Sequence, residues 1–153
     1  MLKVDTKYFG ELAYSDAEVL FFPAGLLGFE SHRRFLLIEV QSWLPASFLQ
    51  NLEDPGLCFL VMPATRVDPE FRLLLDPESR ALLGLEDHPY PDDALLCLAI
   101  VNFGGQGQNP AANMKAPVVI HVAARKAAQV VHYEAGYQVR HPVPALEEVL
   151  SCS

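Results

Sequence analysis

Five histidines, three cysteines and nineteen acids are the side chains of this chain that could bind a metal or move a proton. The histidines, His32, His88, His121, His132 and His141, show no HExxH or other close ligand spacing. His121 and His132 lie on the runs PVVIHVA and AQVVHY, which read as a hairpin that could turn the two rings toward each other. Such a pair lacks a third ligand, so packed or rim histidines are the expectation. Cys58 and Cys97 sit inside apolar runs and Cys152 near the end, without CxxC spacing. A reduced thiol there acts as a small hydrophobe, which fits a reducing compartment and no disulfide framework. No serine lies in a GxSxG elbow. NFGGQGQNP, residues 102–110, has three glycines after a strong strand. Read as GxGxxG from Gly105, its third glycine is Pro110, and a P-loop lysine is missing. The adjacent acids Glu53–Asp54 and Asp92–Asp93 point to opposite sides of an extended chain and do not converge on one bond. The expectation is a protein that is not an enzyme and holds no metal or cofactor.

The net charge of −8 is concentrated in one segment. Residues 53–93 carry ten acids against three arginines and so supply −7 of it. Such a field repels phosphate backbones and draws in a basic partner, although a merely solvated face is the plainer reading. Direct nucleic-acid binding is disfavoured. No apolar run approaches the about 20 residues that span a bilayer, and the N-terminus MLKVDTKYFGEL lacks the apolar core of a secretory signal. A cytoplasmic protein with no membrane partner is expected.

The elements that must position these residues are short. Twelve prolines and nine glycines break the chain every few residues, and no helical period lasts beyond two or three turns. The runs KVDTKYF, GELAY, EVLFF, RFLLIEV, LCFLVM, LLCLAIVNF, PVVIHVA and AQVVHY read as strands. LCFLVM and LLCLAIVNF are apolar without alternation, which places them centrally with both faces covered. In PVVIHVA, Val118, Ile120 and Val122 share one face, and Val119, His121 and Ala123 the other. One helix is predicted in LLLDPESRALLGLED, capped by Asp76, started by Pro77 and ended by Gly84. A second, PALEEVLSC, is either a docked helix or a tail over 144–153. The fold class is therefore mainly β: a small antiparallel, split-barrel-like β-barrel domain spanning 1–153, with one or two short helices.

The order of motifs resembles a known family. KYFGEL at 7–12, then FFPAGLLGFE and RRFLLIEV, resemble the N-terminal part of the flagellar assembly factor family, FliW. The likeness continues through FLQNLEDPGLCFLVM, DDALLCLAIV and ANMKAPVVIHVAARKAAQVV to YQVRHPV at 137–143, nearly the whole chain in order. The resemblance implies a small cytoplasmic, barrel-like, non-enzymatic protein that binds flagellin and the RNA-binding translational repressor CsrA. It further implies a switch in which exported flagellin frees the factor to sequester CsrA, so that flagellin synthesis resumes. The chain departs from the family pattern in its Gly-rich loop before ANMKAPVV, in Leu27 where a second proline is usual, and in Ala127 where the hairpin usually has glycine. Without that glycine the hairpin is expected to use a different turn.

Two partner surfaces follow as expectations. For the basic repressor these are the acids Glu53, Asp54, Glu86, Asp87, Asp92 and Asp93. For flagellin they are Leu26, Leu27 and Phe29, with Asn113 and Met114, which break the apolar pattern before a buried strand. In FFPAGLLGFE, Pro23 and Gly25 end a strand and Gly28 turns the chain back, so the loop either plugs the barrel end or meets a partner. The rival readings are a flagellin chaperone without a CsrA role and a small barrel that holds a flavin-like cofactor in its mouth.

Overall fold

The computed structural model of the chain describes residues 1–86, 95–103, 109–133 and 135–143. Asp87, Asp92 and Asp93, the Gly-rich centre at 104–108, and the C-terminal segment 144–153 with its expected helix lie outside them.

The chain opens with a hairpin, β1 (Leu2–Thr6) and β2 (Gly10–Tyr14), paired from Leu2↔Tyr14 to Thr6↔Gly10. The Thr6 hydroxyl ties the tip by accepting from Phe9 N–H at 2.9 Å and donating to Gly10 C=O at 2.8 Å. Seven further strands close a barrel: β3 (Leu20–Phe21), β4 (Arg34–Ile38), β5 (Ser47–Asn51), β6 (Cys58–Pro63), β7 (Leu95–Asn102), β8 (Ala111–His121) and β9 (Lys126–Gln129). Neighbours are antiparallel except β3 and β9, which run parallel where Phe21 meets Lys126. The β8–β9 pairing closes the ring, and a short β10 (His141–Pro142) adds to the start of β8. The mainly β, barrel-like class read from the sequence is the class observed. The polar run SFLQN of β5 is absent from the expected strands because buried Ser47, Gln50 and Asn51 disguise it.

Alternation explains the apolar runs. Leu20, Phe35, Leu49, Val61, Leu98, Val118, Ile120 and Ala127 point into the barrel. Leu60 and Met62, the outward neighbours of Val61, pack with Ala99, Val101 and Phe71 beneath the segment that follows β6. LCFLVM and LLCLAIVNF are apolar throughout because both of their faces are covered.

The segment after β6 starts with a single turn, α1 (Ala64–Val67), and leads to α2 (Pro77–Leu82). Asp76 Oδ1 accepts from Ser79 N–H at 2.7 Å, Pro77 is the first helical residue, and Gly84 at φ +73° ends the helix. Each was predicted from its residue type. Leu83 and Leu85 then pack on Val119, Ala128 and Val130, outside β8 and β9.

The β8–β9 turn, Val122–Arg125, contains no glycine. Arg125 carries the left-handed residue at φ +53°, and its N–H reaches Val122 C=O at 3.2 Å. Ala127, fully buried, is already inside β9. The strand expected over AQVVHY is correspondingly shorter at its end: Val130 and His132 bond backbone to Pro117 and Lys115 instead of extending β9.

Candidate functional site

His121 and His132, the pair singled out for metal chemistry, each have a structural task, while His88 and Cys152 lie outside the described residues. His121 Nδ1 lies 2.7 Å from Leu83 C=O, at the end of α2. Buried His132 accepts from Leu74 N–H through Nε2 at 3.0 Å, and its Nδ1 lies 3.3 Å from Val130 C=O. That pair of contacts fixes the proton on Nδ1. The two rings therefore serve different backbones and do not meet across a hairpin. Among the described residues no group of three or more His, Cys, Asp or Glu could hold a metal ion. Burial pushes the Cys58 thiol up to about 11 and the Cys97 thiol up to about 12, so neither is a thiolate at neutral pH.

The opening of β4 explains part of the acidic segment. Glu53 Oε1 accepts from Arg34 N–H at 2.9 Å and from Arg33 N–H at 2.6 Å, closing the start of β4 onto the β5–β6 turn. Asp54 Oδ1 accepts from Gly56 N–H at 3.0 Å in the same turn, and Asp54 N–H donates to Asn51 Oδ1. Both acids remain exposed, so they present fixed charge while also holding backbone. Glu86 is exposed just beyond α2.

The stretch FFPAGLLGFE divides between core and surface. Phe22 and Leu26 enter the barrel interior, and Phe29, half buried, stacks edge-on against Phe59 at 5.4 Å. Leu26 and Phe29 exchange backbone hydrogen bonds of 3.3 and 2.7 Å, with Leu27 and Gly28 at the tip. Leu27 is 60% exposed, and its N–H is held by Gln129 Oε1 at 2.9 Å. The stretch is thus a plug with one outward leucine, and the expectation that Leu26 faces a partner is corrected: it is only 2% exposed.

Asn113 and Met114 belong to a bulge. Leu98 of β7 pairs with Val118 of β8, but Ile100, two residues on, pairs with Asn113, five residues back. β8 thus carries three extra residues where it changes partner from β10 to β9. Asn113 Oδ1 accepts from Ala116 N–H at 3.1 Å, closing the bulge, and Met114 is fully buried against the outer core. Their break in the apolar pattern marks this irregularity, and Met114 is not a surface contact as expected.

A groove that sequence reasoning left unassigned lies under the N-terminal hairpin. Tyr8, Phe9, Trp43, Phe48, Leu60, Cys58 and Phe103 line about 480 Å³ of it. Phe9 and Trp43 both meet Phe48 edge-on, at 5.3 and 5.6 Å, while Tyr8 and Phe103 are 60% and 43% exposed. Lys7 Nζ sits 5.3 Å from the Tyr8 ring centre. The available signal was the adjacent pair Tyr8–Phe9 in a tight hairpin tip, where two aromatics seldom both find core.

The family model described as FliW protein matches residues 3–143. A flagellar assembly factor FliW of Caldanaerobacter subterraneus is 29% identical over 97% of this chain and 95% of its own length. Those of Syntrophotalea carbinolica and Leptospira interrogans are 31% and 30% identical, covering 95% and 93% of this chain and 100% and 93% of theirs. A crystal structure of the flagellar assembly factor FliW superposes with a TM-score of 0.81 at 24% identity, over 92% of this chain and 95% of that one.

Proposed function

This chain belongs to the FliW family, and from that membership we propose that it is a non-enzymatic cytoplasmic binding protein that alternates between flagellin and the translational repressor CsrA. The observation that carries the reading is the family match over residues 3–143, which takes in both the plug loop and the β8 bulge. In this reading flagellin retained in the cell occupies the protein and leaves CsrA free to silence flagellin mRNA. Export of flagellin releases the protein, which then captures CsrA and restores translation.

Two kinds of surface support it. The exposed Leu27, Tyr8 and Phe103, with the aromatic groove behind the last two, offer apolar area of the sort that accepts a chain segment. The negative charge of Glu53, Asp54 and Glu86, together with Asp87, Asp92 and Asp93, suits a partner whose own ligand is RNA phosphate. A negatively charged protein bound beside an RNA groove repels RNA even without covering it.

Calorimetric titration with the same organism's CsrA, alone and after saturation with flagellin, tests the proposal. CsrA binding that flagellin abolishes is the expected result. Flagellin binding without CsrA binding at low salt would reduce the protein to a flagellin chaperone.

A further inference from the structure

The outer face of β9–β3–β4 carries a row whose chemistry is opposite in sign to the rest of the molecule. Phe21 of β3 is paired directly with Arg34 of β4 on one side and with Lys126 of β9 on the other. Their sequence neighbours Leu20, Phe35 and Ala127 point into the barrel. Alternation therefore sends Phe21, Arg34 and Lys126 outward together, with directly opposed side chains roughly 5 Å apart at Cβ. Phe21 is 42% exposed, and both cations are exposed. Neither the Arg34 guanidinium nor the Lys126 ammonium makes a hydrogen bond or ion pair with a described residue; the one ion pair between described residues is Lys3–Glu11. Arg33 and Arg125 flank the row in sequence, so four of the chain's eleven bases gather here.

We propose that the Lys126–Phe21–Arg34 row is a docking strip for an acidic, extended segment of a partner protein. An apolar side chain of that segment lies on the Phe21 ring, and carboxylates on either side of it meet Arg34 and Lys126. A peptide fits better than a nucleic acid because two carboxylates border the strip. Glu53 holds Arg33 and Arg34 N–H, and Glu30, whose backbone carbonyl accepts from Arg33 Nε at 3.4 Å, holds Gly28 N–H. A phosphate chain places a charge at every step and meets these acids. A peptide can set its acids only opposite the two cations.

Fluorescence anisotropy with the whole chain tests this, using a fluorescein-labelled peptide of alternating glutamate and leucine and, separately, labelled oligo-dT. The peptide is expected to bind saturably and more weakly as salt rises, and oligo-dT not to bind. Phe21→Ala, Arg34→Glu and Lys126→Glu should each weaken the peptide about ten-fold, the equivalent of ~1.4 kcal/mol. Lys3→Glu and Lys7→Glu, elsewhere on the surface, should leave it unchanged. All three strip residues are exposed, and Arg34→Ala replaces Arg34→Glu if thermal melts show that the reversal unfolds the chain. Absence of saturable binding, or equal weakening by the Lys3 and Lys7 reversals, overturns the strip. Oligo-dT binding lost in the strip variants also overturns it, by assigning the row to nucleic acid.

Discussion

Gly25 and Gly28 stand three residues apart in the same plug, both at positive φ (+66° and +85°), yet only one is sterically closed. A Cβ on Gly25 would lie 2.6 Å from the carbonyl oxygens of Phe29 and Glu30, whereas one on Gly28 meets nothing within 4 Å. Gly25→Ala must therefore move backbone as well as adopt a left-handed conformation, and is expected to cost about 3 kcal/mol. Gly28→Ala bears the conformational term alone, about 1 kcal/mol. Paired chemical denaturation curves check the difference, and equal losses would mean that the plug is not held against the Phe29–Glu30 backbone. Asp76 makes a residue-scale prediction of another kind. Hydrogen bonding to the Ser79 side chain and backbone holds its carboxyl below the ordinary value. A lowered folded pKa contributes stability that is fully present above the unfolded value of about 3.9 and is lost as pH falls through the folded one. Asp76→Ala should cost about 1 kcal/mol at pH 6. The gap between parent and variant should narrow steadily below about pH 4; a gap that stays constant to low pH would show that the carboxylate is not the cap.

At the scale of elements, β8 decides what Asn113 and Met114 do. Met114 is fully buried against Met62, Ala99 and Phe71 on the outer core, so Met114→Ala should remove about 3 kcal/mol of stability through the cavity it leaves. Flagellin affinity should be unchanged at temperatures where the variant is folded. Weakened binding with an unchanged melting temperature would return Met114 to the partner surface. The same strand shows what could be read from sequence. Helix α2 was legible because capping is local: Asp76, Pro77 and Gly84 act within nine residues of one another. The central strands were legible because two covered faces leave an unbroken apolar run. The β8 bulge was not, since three extra residues in one strand are visible only against the register of its neighbour, and the break at Asn113–Met114 looks the same whether it bulges or faces a partner. β5 was missed for a related reason: Gln50 is fully buried and donates to Asn51, Pro55 and Leu57 carbonyls, contacts that no one-dimensional pattern announces. In the plug, the alternatives of core and surface were both open in sequence, and each turned out to describe different residues of the same loop.

Over the whole molecule, the acids have two functions that experiment can separate. Glu18, Glu30, Glu53, Asp54, Asp68 and Asp76 each accept from a nearby backbone N–H, so much of the negative charge is fixed in place by turns and caps. A hydrogen-bonded carboxylate still contributes its full charge to the long-range field. Reversing such a residue changes both the field and the fold, whereas reversing Glu86, whose carboxylate has no described backbone partner, changes the field alone. Glu53→Lys should therefore lower stability by about 1–2 kcal/mol, because two N–H groups at the start of β4 lose their acceptor, while Glu86→Lys should leave the melt unaltered. Against CsrA, Glu86→Lys and the Asp92→Lys, Asp93→Lys pair should slow association several-fold at low ionic strength and flatten its salt dependence. The difference from the parent should fade once the screening length falls to about 3 Å near 1 M salt. Association rates measured across a salt series make the decision. A rate that is independent of salt in the parent would show that the negative segment does not steer the repressor, and its charge would then belong to the turns it closes.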